Sequence, residues 1–306
     1  MGLKTLAQDN VTWTDVRKPT SEDIQRLGEL FPFFHPLDLE DCLSHLERPK
    51  IDEYDDYLFI VVQFPVFNKV TRRLGSAELD VFVGRGFLVT VSDGTLEPLV
   101  EAFDDCEMDE VIRRQFMARG SYYLLYMLID DLVDYCIPIL DKENLNIESI
   151  EERIFDGNAR ELVKEMSIVR RNLINFRRII KPERKLMASL ERKDWEFLKG
   201  DLDVYWGDVA DHTVQIWERL EDLWEVVEGL STTLESLTSN RINEVMKILT
   251  IFSVIMLPLS VISGIYGMNL IQLPLASHPM SFVIIMGIMV CVVLGMLAYF
   301  RREGWL

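Results

Sequence analysis

The rhythm of apolar and polar positions changes along the chain. Val11 to Val16, Tyr57 to Phe67 (YLFIVVQFPVF), Leu79 to Val83 and Phe87 to Val91 are short runs rich in β-branched and aromatic residues, which is the signature of strands. Gly84-Arg85-Gly86 separates the last two runs and predicts a hairpin turn. Ser21 to Leu30 has helical spacing, with Ser21 as a candidate N-cap. An antiparallel or mixed sheet with flanking helices is the simplest packing for this α+β region. From about Leu96 the apolar period becomes helical, with charged and apolar faces alternating over Ser121 to Ile154 and Ala159 to Leu198. A further run, through Val209, Thr213, Ile216, Leu220, Leu223, Val227, Leu230, Leu234 and Leu237, continues without a strong breaker. Gly207 and Gly229 weaken that pattern without ending it. One helix from Asp201 to about Tyr266 is predicted; at ~1.5 Å per residue it would reach roughly 100 Å and stand clear of a bilayer as a stalk.

Hydropathy then separates the end of the chain from the rest. Every position from Ile248 to Phe300 lacks Asp, Glu, Lys and Arg. Ile248 to Met268 and Ser281 to Phe300 each approach the ~20 apolar residues that cross a bilayer as a helix. Two buried core helices are the alternative reading, but uncharged runs of this length are rare in soluble domains. Arg241 and Lys247 precede the first span, Arg301 and Arg302 follow the second, and the connector carries neither Lys nor Arg. Positive flanks favour the cytoplasmic side, so both termini are expected inside and the connector outside. Pro258 removes one backbone donor from the first span and is expected to bend it, which suits a helix facing other protein. The predicted organisation is an α/β subdomain (1–118), a helical hairpin (119–200), a stalk (201–247), a first span (248–268), an external connector (269–280), a second span (281–300) and a cytosolic tail (301–306).

Asn243, Met246, Leu249, Ser253, Leu257, Ser260 and Gly264 fall at steps of three and four, so they share one face of the predicted helix. Small and hydroxyl residues on such a stripe suit close helix packing or the wall of a conduction path. Two helices cannot enclose an ion path, so conduction would require several copies around an axis.

The net charge is −18 over 306 residues, a field that repels nucleic acid and favours cations. The acids cluster in 38–41, 52–56, 104–110, 130–141, 148–156 and 201–211; hard divalent ions take such oxygen ligands, Mg²⁺ while keeping several waters. Taken singly, each cluster reads as a solvated face. The four cysteines, Cys42, Cys106, Cys136 and Cys291, form no CxxC pair, and the four histidines, His35, His45, His212 and His278, show no metal-ligand spacing. No nucleophile elbow, phosphate loop or HExxH points to an enzyme. The N-terminus has no signal-peptide core, and Leu6 stands where a myristoylation signal wants Ser or Thr.

Tyr266-Gly267-Met268-Asn269 closes the first span before a short uncharged connector and a second span that ends the chain. This resembles the CorA family of Mg²⁺ transporters, whose signature is GMN in that place. The resemblance extends over RINEVMKILTIFSVIMLPLSVISGIYGMN, over YWGDVADHTVQIWERLEDLWE (205–225), over FHPLDLEDCLSHLERPKIDEYDDYLFIVVQFP (34–65) and to the closing GWL. It implies a funnel-shaped homopentamer in the cell membrane that passes Mg²⁺, and also Co²⁺ or Ni²⁺, and needs no cofactor beyond the transported and regulatory ion. Gly267, Met268 and Asn269 would form the selectivity ring, with Tyr266 bracing it. The seven stripe residues would line the pore, with Leu249 and Leu257 as hydrophobic constrictions. Asp208 matches the family's cytosolic sensing aspartate, and Asp93 is the candidate partner from the neighbouring subunit; Mg²⁺ there would hold the pore closed. An Asn side chain is neutral and can accept from water on a hydrated ion; the plainer role for Asn269 is a helix cap.

The chain departs from the family pattern in two places. IQLPLASHPM lacks the connector acid that many relatives carry, and RREGWL is thinly basic. Two other readings remain beside the Mg²⁺ channel. One is a zinc transporter of the same superfamily, which His278 alone would favour and the stripe, without His or Cys, disfavours. The other is a non-conducting, membrane-anchored metal sensor or scaffold.

Overall fold

The computed structural model describes residues 2–44, 48–155, 159–193, 195, 202–268 and 279–305. The chain divides into two compact units, Met1–Ser231 and Thr232–Leu306. In the first, β1 (Leu3–Gln8), β2 (Val11–Arg17), β3 (Lys50–Glu53), β4 (Tyr57–Asn68), β5 (Arg73–Gly84) and β6 (Phe87–Ser92) form one sheet in the order β1-β2-β6-β5-β4-β3. Every pairing is antiparallel except β2 with β6, which is parallel. The sheet is therefore mixed, as the strand pattern suggested. Its helices are α1 (Ser21–Leu30), α2 (Pro36–Asp41), α3 (Glu97–Met108), α4 (Glu110–Met117), α5 (Ser121–Arg153) and α6 (Ala159–Arg192), followed by α7 (Asp203–Tyr266) and α8 (Ser281–Arg302).

The β5–β6 hairpin turns where Gly84-Arg85-Gly86 placed it, with Gly84 opposite Phe87 and Gly86 at φ 82°. A Cβ on Gly86 would also lie 2.8 Å from the Asn10 carbonyl, so a glycine is required there on two counts. Helix α1 has the predicted span, but its cap is Thr20 rather than Ser21. The Thr20 hydroxyl accepts from Asp23 N, and the Asp23 carboxylate accepts from Thr20 N, a reciprocal box that satisfies two end donors. Strands β1 and β3 carry no apolar run and were not anticipated; each is an edge strand held by its neighbour's register. Strand β5 begins at Arg73 rather than Leu79, because its polar first half pairs with the far half of β4.

Both faces of the central sheet are covered. Leu58, Phe59, Ile60, Val61 and Val62 are all fully buried. One face packs on α1 and α2 through Phe34, Cys42, Tyr57, Phe59, Val61 and Phe82. Helices α5 and α6 cover the other. Strand β3 pairs with β4 only as far as Val61, so the edge beyond it needs other partners. Gln63 N donates to Glu183 Oε1 on α6 at 2.8 Å, and Pro65, two residues on, has no N–H to satisfy. Asn172 and Asn175 hold the start of β5 in the same way: Asn172 Oδ1 accepts from Leu74 N, and Asn175 Nδ2 donates to Leu74 O.

In the second unit, α7 continues through Pro258 to Tyr266. Lys247 Nζ donates to the Gly304 carbonyl at 3.0 Å, and Trp305 stacks on Phe300 with ring centroids 5.7 Å apart. The first contact ties the foot of α8 to α7, and the second folds the tail back onto α8. Along both apolar segments the side chains stay largely uncovered: Phe252, Leu257, Phe282 and Leu294 are each 60–77% exposed.

Candidate metal centre and membrane-spanning segments

The buried stripe of α7 in the first unit runs through Trp206, Val209, Thr213, Ile216, Leu220 and Val227, the helical period read from the sequence. Trp206 anchors it against α5, with its ring 5.4 Å from that of Tyr122 and 6.1 Å from that of Tyr126. Thr213 spends its hydroxyl on the Val209 carbonyl at 2.8 Å, so its burial leaves no unmet donor. Asp208 and His212 flank this stripe, one helical turn apart, where the face of α7 meets Asp130 and Asp134 of α5.

Asp130, Asp208 and His212 offer one ligand atom each, all within 4.8 Å of one another. His212 Nε2 lies 3.9 Å from Asp208 Oδ1, and His212 Nδ1 lies 3.7 Å from Asp134 Oδ1. These gaps are too long for hydrogen bonds and wide enough for an ion: with metal–oxygen bonds of ~2.1 Å, opposed ligands stand roughly 4 Å apart. Asp130 Oδ1 has no hydrogen-bond partner among the described residues. Burial raises the Asp130 carboxyl above its ordinary range, and the Asp134 and Asp208 charges raise it further; His212 and the Tyr126 hydroxyl oppose them. Asp131 is pushed up to about 6, by burial first and then by Asp130 and Asp134. A divalent cation would relieve this repulsion, and its departure would restore it. Histidine beside carboxylates also admits borderline ions such as Co²⁺ and Zn²⁺.

Asp208 therefore stands in a metal-competent group within its own chain. The histidines show no metal-ligand spacing to one another, but His212 stands four residues after Asp208 on one helix face, a signal that the chain carries locally. Asp130 could not be singled out from its acidic run, because only the packing of α5 on α7 brings it near. Asp93 is elsewhere, in the turn after β6, where its Oδ1 accepts from Thr95 N at 2.9 Å and from Thr95 Oγ1 at 2.6 Å. It does not join Asp208 within the chain.

In the second unit, Asn243, Met246, Leu249, Ser253, Leu257, Ser260 and Gly264 are all exposed. Ser253 bonds the Leu249 carbonyl of its own helix at 2.8 Å. A Cβ at Gly267 would lie 2.9 Å from the Ser263 carbonyl, so the chain can close the helix there only with glycine. Tyr266 ends α7 and Met268 is exposed; Asn269 and His278 lie outside the described residues.

Comparison with known proteins supplies the family. The model of the CorA-like Mg²⁺ transporter protein family matches residues 8–302. The cobalt/magnesium transport protein CorA of Thermotoga maritima is 33% identical over 297 residues, covering 96% of this chain and 83% of that protein. Its namesake in Methanocaldococcus jannaschii is 25% identical over 294 residues, covering 96% and 91%. The complete structure of the CorA magnesium transporter from M. jannaschii superposes with a TM-score of 0.83 at 24% identity, over 98% of this chain and 94% of that one. That match establishes the fold: a mixed sheet with helices, a long helix and two C-terminal apolar helices. The family model over residues 8–302 and the 33% identical Thermotoga relative, not the superposition, make the two apolar helices membrane spans and the chain a transporter rather than an enzyme. The chain belongs to the family of CorA-like Mg²⁺ transporter proteins.

Proposed function

We propose that the chain is one subunit of a homopentameric channel for Mg²⁺, also passing Co²⁺ and Ni²⁺, in the cell membrane with both termini cytoplasmic. The match of residues 8–302 to a Mg²⁺ transporter family carries this reading. The exposed stripe from Asn243 to Gly264 supports it, since such a face needs either other copies or an ion path beside it. In this reading the stripe lines the pore, and the Gly267-Met268-Asn269 segment forms the outer ring, with Tyr266 bracing it. Five neutral Asn amides would meet a hydrated ion without stripping it, which avoids the dehydration barrier of Mg²⁺.

Regulation is assigned to Asp208. Cytosolic Mg²⁺ held there, by Asp130 and His212 of the same chain and by Asp93 of a neighbouring copy, would screen the acidic face and keep the pore closed. Loss of the ion would return the repulsion and favour opening.

The test is Mg²⁺ entry into proteoliposomes under an inside-negative potential. The parent should admit Mg²⁺, and Asn269→Ala should lower entry at least tenfold. No entry by correctly inserted parent, with Mg²⁺ removed from the cytosolic face, would favour the sensor or scaffold. Asp208→Ala should conduct at Mg²⁺ levels that silence the parent; unchanged inhibition would remove Asp208 from the sensor. One observation favours zinc as a second reading, the presence of His212 in the metal-competent group, and Zn²⁺ flux above Mg²⁺ flux under equal gradients would select it.

A further inference from the structure

Asp80 lies in the middle of the sheet, on β5, opposite Val61 of β4 and Val91 of β6. It is 3% exposed, and its Oδ1 has no hydrogen-bond partner among the described residues. A carboxylate this deep is costly unless something offsets its charge. Among the described residues no arginine or lysine forms an ion pair with it, and the charge of Lys50 offsets it only in part. Lys50 is itself held by Asp41 and Asp52 at 2.7 Å each. The side chain instead forms part of the wall of a cavity of about 170 Å³, together with Gln63, Ser76, Glu78, Ser92 and Asp93. Its described lining contains three carboxyl groups, several neutral oxygens and no basic residue. At ~30 Å³ per water, such a space holds an ion with on the order of five waters.

We propose that this cavity is a site for a hard divalent cation such as Mg²⁺, bound by Asp80 and, through water, by Glu78 and Asp93. The chemistry of the lining selects the ion class. Mg²⁺ binds through one or two carboxylates and keeps several waters. The one sulfur, Cys42, is no thiolate ligand, because burial and then Asp80 push its thiol well up. In the empty state Asp80 holds its proton: burial first, then Glu78, pushes its carboxyl up to about 8. The groups that face it are Cys42 and Asp41 at the end of α2, Lys50 of β3 and Glu78 of β5, with Asp93 completing the cavity. Ion entry therefore releases one proton, which leaves for solvent. The inference goes beyond the transport reading and shares only Asp93 with it.

Mn²⁺ stands in for Mg²⁺ in the test. Full-length protein in detergent is titrated with Mn²⁺, bound ion is counted from the free-Mn²⁺ paramagnetic signal, and proton release is measured by calorimetry in two buffers. Asp80→Asn should bind one Mn²⁺ fewer per chain and release about one proton fewer than the parent. Equal counts and equal release in a folded variant would overturn the proposal. Should Asp80→Asn fail to fold, anomalous scattering from Mn²⁺-soaked parent crystals decides. A peak at bonding distance from Asp80 supports the site, and its absence at saturating Mn²⁺ overturns it. Neither readout involves flux, so an inactive parent would remove the transport reading and leave this one standing.

Discussion

Strand β4 and helix α8 are both built almost wholly from apolar residues, and the chain treats them in opposite ways. Leu58 to Val62 of β4 are fully buried, whereas Phe282, Val283 and Leu294 of α8 are 77%, 58% and 60% exposed. The strand is covered on both faces by helices of its own unit, and its edge is finished by Glu183. The helix satisfies its own backbone but leaves its side chains to a medium that the chain does not supply. An apolar run alone thus does not distinguish a core from a membrane span. What distinguishes them is whether the same chain provides the cover, because burial is favourable only against another apolar surface.

The same substitution in the two places sharpens this contrast. Val62→Asp would place an unpaired carboxylate at the centre of the sheet, at a cost of roughly 4 kcal/mol or more. It should leave the soluble unit unfolded by circular dichroism and limited proteolysis. Native-like melting of that variant would mean β4 is not a core strand. Leu294→Asp costs ~3 kcal/mol in the middle of a span. It should impair membrane insertion in a glycosylation-mapping assay while the soluble unit melts as in the parent. A lowered melting point for that unit would mean α8 packs as part of a soluble core.

A subtler probe is Glu183, the buried acid at the edge of β4. Burial pushes its carboxyl up to about 8, against the opposing bond from Gln63 N, and its Oε2 has no partner among the described residues. A raised carboxyl pKa means that the folded state holds the proton more tightly than the unfolded state. The parent should therefore lose stability as pH rises from the unfolded value near 4.5 to about 8. Glu183→Gln keeps an acceptor for Gln63 N and cannot ionise. It should flatten this dependence by ~2–3 kcal/mol between pH 5 and pH 8. Parallel stability curves for parent and variant would show that Glu183 is already ionised in the fold.

Much of the fold was legible because its signals are local. The β-branched runs, the Gly84–Gly86 turn and the 3.6-residue period of α5 to α7 each depend on neighbours within a few positions. Strands β1 and β3 were not legible, since LKTLAQ and KIDE become strands through the edges they pair with. Serine at position 21 was a reasonable cap by type, but the cap box closes through Thr20 because Asp23 stands three residues after it. At the metal-competent group, the i,i+4 spacing of Asp208 and His212 was present in the chain and Asp130 was not separable from its acidic neighbours.

The sequence by itself determined that the last part of the chain crosses a membrane, because a run of 53 positions without an acidic or basic side chain, from Ile248 to Phe300, has no stable place in water. It also determined the family, through a motif at a fixed place between two spans and a likeness along nearly the whole chain. Only the tertiary structure decided which carboxylates stand together. Asp130 meets Asp208 and His212 across two helices, and Asp80 is buried on the sheet with no ion-pair partner among the described residues. Charge along a chain is set residue by residue, but the cost of that charge depends on burial and on partners distant in sequence, and those exist only once the chain has folded.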